Sequence, residues 1–261
     1  MLSPIFRGSI TKLDEVERAV RNVDFVVHEA AIASVQESIE NPMRVNEVNV
    51  TGTLNILKAS LDSKVKRLVF ASSCAVYGDP DKLPVSEDHS RRAISPYGVS
   101  KLSAEAYCSA FYETYGFETV VLRYFNVYGP HQGYNPYSGV ITTFIQRLIE
   151  GKPPIIYGNG EQTRDFIYVE DVAKANLQAL TSESAAGKTF NVGTGKAIKI
   201  CELADTLMEL MNVKKMLVYE EKREGDIEFI YAETLKTFKI LGFKAETALK
   251  TGLKKTINTF T

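Results

Sequence analysis

Tyr97-Gly98-Val99-Ser100-Lys101 sets a phenol and an ammonium four residues apart. On a helix, such a pair shares one face and its side chains can meet. A free phenol ionises near ~10 and is a poor base at neutral pH. A cation beside it favours the phenolate, lowers that value and makes general base catalysis possible. Taken alone, the pentapeptide reads more simply as an exposed helix with an incidental pair. Ala71-Ser72-Ser73-Cys74-Ala75-Val76-Tyr77-Gly78 shifts that balance. Its two hydroxyls follow an apolar strand, at the carboxyl end where a parallel sheet places ligands. A serine there can hydrogen-bond an oxygen that gains or loses a proton. The plainer alternative is a turn of small polar residues.

Other segments carry weaker signals. His28-Glu29-Ala30-Ala31 begins like a zinc-protease helix, but Ile32 stands where the second histidine is required, which rejects the metal. Small residues after that strand would let a flat cofactor approach the backbone. Asn49-Val50-Thr51-Gly52-Thr53 puts a glycine inside a helix, at a cost of about 1 kcal/mol relative to alanine. Close helix packing explains the glycine, and Asn49 could hold the backbone of a neighbouring strand. Arg164-Asp165 and Arg223-Glu224-Gly225-Asp226 place arginines in turn-like settings, where the guanidinium fork suits a phosphate but more often meets a surface carboxylate. Cys74, Cys108 and Cys201 have no paired spacing, which argues against disulfides and zinc.

The elements that must position these residues follow from the apolar pattern. Phe25–His28, Arg67–Ala71 and Thr119–Tyr124 lack polar alternation, as parallel strands covered on both faces should. Helices are predicted near 11–22, 43–62, 95–116, 137–150, 169–181, 199–211 and 246–259, with a further strand at Thr189–Val192. Alternation of this kind predicts an α/β fold on a parallel sheet. The 261 residues carry 31 Lys+Arg against 32 Asp+Glu, so no field draws the chain to nucleic acid or an anionic membrane. No apolar run approaches the ~20 residues of a bilayer span, and the cytoplasm is the expected location. Gly158-Asn159-Gly160 and Gly193-Thr194-Gly195 both lack a third glycine, and neither GxGxxG nor a Walker loop occurs.

HEAA at 28–31, NVTGT at 49–53, ASSCAVYG at 71–78, SPYGVSK at 95–101, LRYFNVYGP at 122–130, GNGEQTRDFIYVEDV at 158–172, NVGTG at 191–195 and REGD at 223–226 run in one order. Together they resemble the extended short-chain dehydrogenase/reductase family, and within it the nucleotide-sugar 4-epimerases. The resemblance covers nearly the whole chain. It implies Tyr97 as catalytic base, Lys101 tuning it and holding the nicotinamide ribose, and Ser73 on the sugar O4. It implies Ala30, Ala31, Asn49 and Phe125, with Tyr97 and Lys101, as NAD contacts. It implies Asn126, Val140, Arg164, Arg223 and Asp226, with Ser73, as contacts to a UDP-sugar, the arginines on its diphosphate. Residues 1–127 and 166–194 then form a Rossmann-like NAD-binding domain, and 128–165 with 195–261 a smaller α+β lobe for the nucleotide-sugar. Cys74-Ala75 stand where related dehydratases carry Asp-Glu and decarboxylases a Glu, which favours epimerisation; the alternatives are a reductase or decarboxylase of the same family, or a non-catalytic nucleotide-sugar-binding fragment.

The resemblance also implies departures. It begins at what is the third strand in relatives, so the glycine-rich turn that holds the NAD diphosphate is expected upstream of Met1. Phe25-Val26-Val27 would then be an apolar edge, with the segment around Ile5-Phe6 left dangling or slid in beside it. On that reading these residues alone hold NAD weakly, dissolve poorly and do not turn over. Gly8-Ser9-Ile10 replaces the usual Gly-Asp-Ile adenine contact, and Ile230 leaves the choice of hexose open. The resemblance implies a homodimer through the helices near 43–62 and 95–116, with Tyr107, Phe111 and Tyr115 as an aromatic stripe on its seam, a stripe that core packing within one chain explains nearly as well.

Overall fold

The computed structural model describes residues 5–135, 137–223 and 225–260. In chain order, α1 (Leu13–Ala19) leads to β1 (Phe25–His28). Then α2 (Val35–Glu40), α3 (Pro42–Asn46), a π turn (Glu47–Thr51) and α4 (Gly52–Asp62) bring the chain to β2 (Arg67–Ser73). A 3-10 turn (Cys74–Tyr77) precedes α5 (Pro96–Tyr115) and β3 (Glu118–Tyr124). Next come β4 (Asn126–Tyr128), α6 (Val140–Ile149), β5 (Ile155–Tyr157), β6 (Thr163–Arg164), β7 (Phe166–Tyr168), α7 (Val169–Thr181) and β8 (Thr189–Val192). The last elements are β9 (Ile198–Lys199), α8 (Ile200–Leu210), β10 (Val218–Glu220), α9 (Leu235–Leu241) and α10 (Leu249–Ile257).

The apolar runs pair in the order β1-β2-β3-β8. β1 and β2 are parallel, Phe25 opposite Arg67 and His28 opposite Phe70. Gly187 N–H donates to Thr119 O and Val121 N–H to Lys188 O, ascending together as parallel neighbours do. This is the predicted α/β fold with a Rossmann-like parallel sheet. β1 departs from the expected two-sided burial. It lies at the edge of the sheet, and Phe25 and Val27 remain 46% and 41% exposed. Ile5 and Phe6 pair with no strand among the described residues and are exposed, Phe6 lying under the Arg18 guanidinium.

The helix predicted over 43–62 is interrupted by the π turn at 47–51. Gly52, just after it, meets Ile10, whose side chain would stand 2.7 Å from an added Cβ. Close packing therefore accounts for that glycine. α5 is defined at both ends by sequence. The Ser95 side chain accepts from Gly98 N–H, Pro96 fits the first turn, and Gly116 ends the helix at φ 67°, a left-handed conformation that glycine adopts without strain.

Two compact units result: Met1–Val76 with Ala93–Arg123 and Asn176–Phe190, and Tyr77–Arg92 with Tyr124–Ala175 and Asn191–Thr261. These boundaries differ from 127/128 and 165/166 for visible reasons. Residues 77–92 join the second unit because Tyr77 Oη donates to Asn191 Oδ1 at 2.6 Å and Val85 N–H to Tyr231 O at 2.9 Å. The end of α7 joins the first because buried Arg67 donates from Nη1 to the carbonyls of Ala179, Leu180 and Ser182, while pairing with Glu118 at 2.7 Å. The first unit is cored by Val16, Leu57, Leu68, Phe70, Cys108 and Val121. The second is cored by Ile141, Phe144, Ile145, Ile156, Leu203 and Leu253. Among the described residues no helix is long and apolar enough to cross a membrane.

Candidate active site

In the first unit, β2 ends on Ser73 and the first turns of α5 carry Tyr97 and Lys101. The Ser73 hydroxyl lies close enough to the Tyr97 phenol to favour its ionised form. Both backbone groups of Tyr97 are held. Its N–H donates to buried Ser38 Oγ of α2 at 3.0 Å, and its carbonyl accepts from Ser100 Oγ at 2.7 Å. Between the two sits Gly98, where a Cβ would stand 2.6 Å from the Ala75 carbonyl oxygen. Lys101 is buried, donates from Nζ to Ala71 O at 2.7 Å, and lies 5.0 Å from the centre of the Phe70 ring.

Burial sets the electrostatics here. The Tyr97 phenol is pushed up to about 12, mainly by burial and further by Cys74, with the Ser73 hydroxyl acting against both. Lys101 is not among the groups that shift this phenol, so the expectation that it lowers the phenol is not met. Lys101 itself is drawn down to about 8, because burial disfavours its charge more than Glu29, Cys108 and Glu105 support it. His28, buried in β1, falls to about 3 through burial and the nearby Lys101. Its Nε2 lies 2.9 Å from Thr53 Oγ1, and that hydroxyl already donates to Asn49 O. Thr53 must then accept, which puts the imidazole proton on Nε2.

Asn49 is 1% exposed and sits in the π turn, a feature frequent at functional sites. Its Oδ1 accepts from Ile32 N–H at 2.8 Å, and its Nδ2 donates to Ile32 O and to Ser100 Oγ. The side chain thus holds the backbone beside Ala30 and Ala31, and reaches the helix of Tyr97 through Ser100. Ala30 is exposed and Ala31 half-buried, after the carboxyl end of β1.

In the second unit, Phe125 is buried and its N–H donates to Val192 O at 3.0 Å. Asn126 N–H donates to Asp165 O, while Asn126 Oδ1 is buried without a hydrogen-bond partner among the described residues. Val140 opens α6. Arg164 donates to Thr163 O at 2.8 Å. The exposed Arg223 side chain places its guanidinium carbon over the Tyr157 ring, 3.7 Å from its centre, a cation–π contact. Asp226 is half-buried. The predicted residues thus fall into two groups, Ser73, Tyr97, Lys101, Asn49, Ala30 and Ala31 in one unit and the remainder in the other.

Two buried carboxylates escape the sequence reading. Asp165 is fully buried and accepts from Thr194 N–H and Oγ1, Gly195 N–H and Ala232 N–H, fixing the Gly193-Thr194-Gly195 turn. Glu105, 5% exposed on α5, faces Arg123, 2% exposed on β3. Only their positions could have given them away: Asp165 follows a motif arginine, and Glu105 lies one helical turn beyond Lys101.

The NAD dependent epimerase/dehydratase family profile matches residues 2–193. The chain is 42% identical over 239 residues to a Methanocaldococcus jannaschii protein provisionally named UDP-glucose 4-epimerase, covering 91% of this chain and 77% of that one. The UDP-glucose 4-epimerase of Thermotoga maritima, solved with UDP-glucose, superposes with TM-score 0.93 at 36% identity, over 97% of this chain and 82% of that one. The Thermus thermophilus UDP-glucose 4-epimerase, solved with NAD, gives TM-score 0.92 at 35% identity, over 98% and 84%.

Proposed function

The chain belongs to the NAD dependent epimerase/dehydratase family, and from that premise we propose that it inverts C4 of a UDP-hexose through a transient 4-keto sugar, with NAD as cofactor. The supporting observation is the Ser73 hydroxyl at the end of β2 acting on the buried Tyr97 phenol, with the buried Lys101 ammonium one turn further along α5. The residues fit both molecules. Lys101 commits one of its three N–H donors to Ala71 O, leaving others for a ribose diol. The small side chains of Ala30 and Ala31 leave the backbone after β1 open to a flat ring. Asn126 Oδ1 is an unpaired buried acceptor, suited to a substrate hydroxyl or amide.

NAD supplies the acceptor that takes a hydride from C4 and later returns it. The chain handles the proton. Ser73 donates to or accepts from the sugar O4 and keeps it against the Tyr97 oxygen. Tyr97 removes the O4 proton as the C–H bond at C4 breaks, which leaves a ketone, and gives the proton back once the opposite face of C4 has been presented. A phenol near 12 performs this step only with positive charge beside it, and Lys101 is the cation the chain provides. Arg164 and Arg223 hold the diphosphate, with Asn126, Val140 and Asp226 along the rest of the UDP-sugar and Phe125 on the cofactor. Cys74 and Ala75 supply no carboxylate after Ser73, which leaves elimination and decarboxylation without their base.

The same reading gives a cytoplasmic homodimer built on α5, where Tyr107 and Tyr115 are exposed while Phe111 is drawn into the core. The test of the chemistry is Tyr97→Phe in a full-length form of the protein, assayed on UDP-galactose with saturating NAD. We expect epimerisation to vanish while calorimetric UDP affinity stays within about twofold. Turnover within about tenfold of wild type, or 1.4 kcal/mol of barrier, would remove Tyr97 as the base.

A further inference from the structure

Beneath the Ser73, Tyr97 and Lys101 group lies a buried charge cluster that touches none of the atoms assigned to the reaction. Glu105 Oε1 accepts from Ser72 Oγ at 2.5 Å and from Arg123 Nε at 2.9 Å, and Oε2 accepts from Arg123 Nη2 at 2.8 Å. Ser72 stands between two other residues of β2 that face α5. Ala71 offers its carbonyl to Lys101, and the Ser73 hydroxyl acts on the Tyr97 phenol. Tyr97, Lys101 and Glu105 follow at four-residue steps on one face of α5. The bidentate Arg123 fork fixes the carboxylate in one orientation.

We propose that Glu105 is a positioning residue: locked by Arg123, it clasps Ser72 and so holds the end of β2 in register with Tyr97 and Lys101. The inference rests on the reading of those two residues as base and cation. A carboxylate one turn away also sustains the Lys101 ammonium. The groups facing that ammonium are Glu29 after β1, neutral His28 on β1, the Phe70 ring on β2, and Glu105 and Cys108 on α5. Packing alone would require only a side chain of similar volume.

Three variants separate these roles. Ser72→Ala removes the clasp without disturbing charge. Glu105→Gln keeps an acceptor for Ser72 and removes the charge. Glu105→Gln with Arg123→Gln removes both charges and avoids an isolated buried guanidinium. The side-chain resonance of Lys101, assigned by comparison with Lys101→Met, is followed against pH by NMR in the whole protein, beside kcat and KM for UDP-galactose. Ser72→Ala should lower kcat about tenfold with KM within about twofold. Glu105→Gln should move the Lys101 midpoint towards acid, and the double variant less far, because the departing Arg123 charge offsets the departing carboxylate. A merely structural role predicts lower melting temperature with kcat and the Lys101 midpoint unmoved, and that result overturns the proposal. Tyr97→Phe is run alongside. If it stays active, the catalytic reading falls and takes this inference with it; if it is inactive while the other variants match wild type, the inference alone falls.

Discussion

A tyrosine held near 12 is a reluctant base, and its reluctance has a tertiary cause. The spacing of Tyr97 and Lys101 was readable from sequence because one helical turn brings i and i+4 together whatever surrounds them. The sign of the shift was not, because burial depends on α2, β2 and the turn after Ser73 closing over the pair. His28 is governed by the same physics and makes a measurable claim. Its folded-state value is about 3 against 6.5 when free, so below 6.5 the unfolded chain binds more protons. Stability is full above 6.5 and declines as pH falls towards 3. Between pH 7 and 5 this group alone should cost about 2 kcal/mol. Urea unfolding at both values should show that loss in wild type and a flatter dependence in His28→Gln. Equal slopes would mean that His28 titrates normally in the fold.

At the level of elements, the long ones announced themselves and the short ones did not. Helix α7 and strands β1 and β8 lie where the pattern put them, since an uninterrupted apolar run or a full amphipathic helix carries its own signal. The six-residue α2 carries too little periodicity, yet its Ser38 holds the Tyr97 backbone. The two- and three-residue ladders β4/β7, β5/β10 and β6/β9 exist only through their partners and have no local signature. The π turn is likewise invisible in composition, because residues 47–51 would suit an ordinary helix. Arg67 shows what such partnerships are worth. Its guanidinium satisfies carbonyls that the last turn of α7 leaves open, from inside the core. Arg67→Met should therefore lower unfolding free energy by about 2–4 kcal/mol, read by denaturant midpoint. Arg67→Lys should recover only part of it, because a single ammonium cannot serve three carbonyls and Glu118 together. A midpoint unchanged in both variants would assign that helix end to other contacts.

For the whole molecule, the near balance of 31 basic and 32 acidic residues leaves association to apolar surface rather than to charge. The candidate surface on α5 is narrower than the sequence pattern suggested, because Phe111 turns inward and meets Tyr115 edge-on at 5.1 Å. Tyr107 and Tyr115 remain outside, at 39% and 59% exposure. If the homodimer forms there, light scattering at micromolar concentration should give twice 29.0 kDa for wild type and 29.0 kDa for Tyr107→Glu with Tyr115→Glu. A wild-type mass of one chain, or a double variant that still pairs, removes α5 as the seam.

At Gly98 the genetic code offers no gradual alternative. Every other amino acid brings a Cβ, and here that atom has 2.6 Å to the Ala75 carbonyl oxygen, a backbone group that cannot rotate away. Any single-base change that replaces this glycine therefore drives α5 off the turn that follows Ser73, and with it the phenol off its hydroxyl. The approach of α5 to that turn thus has, at Gly98, no neighbouring codon through which it could be adjusted by degrees, at a position that makes no contact with the chemistry.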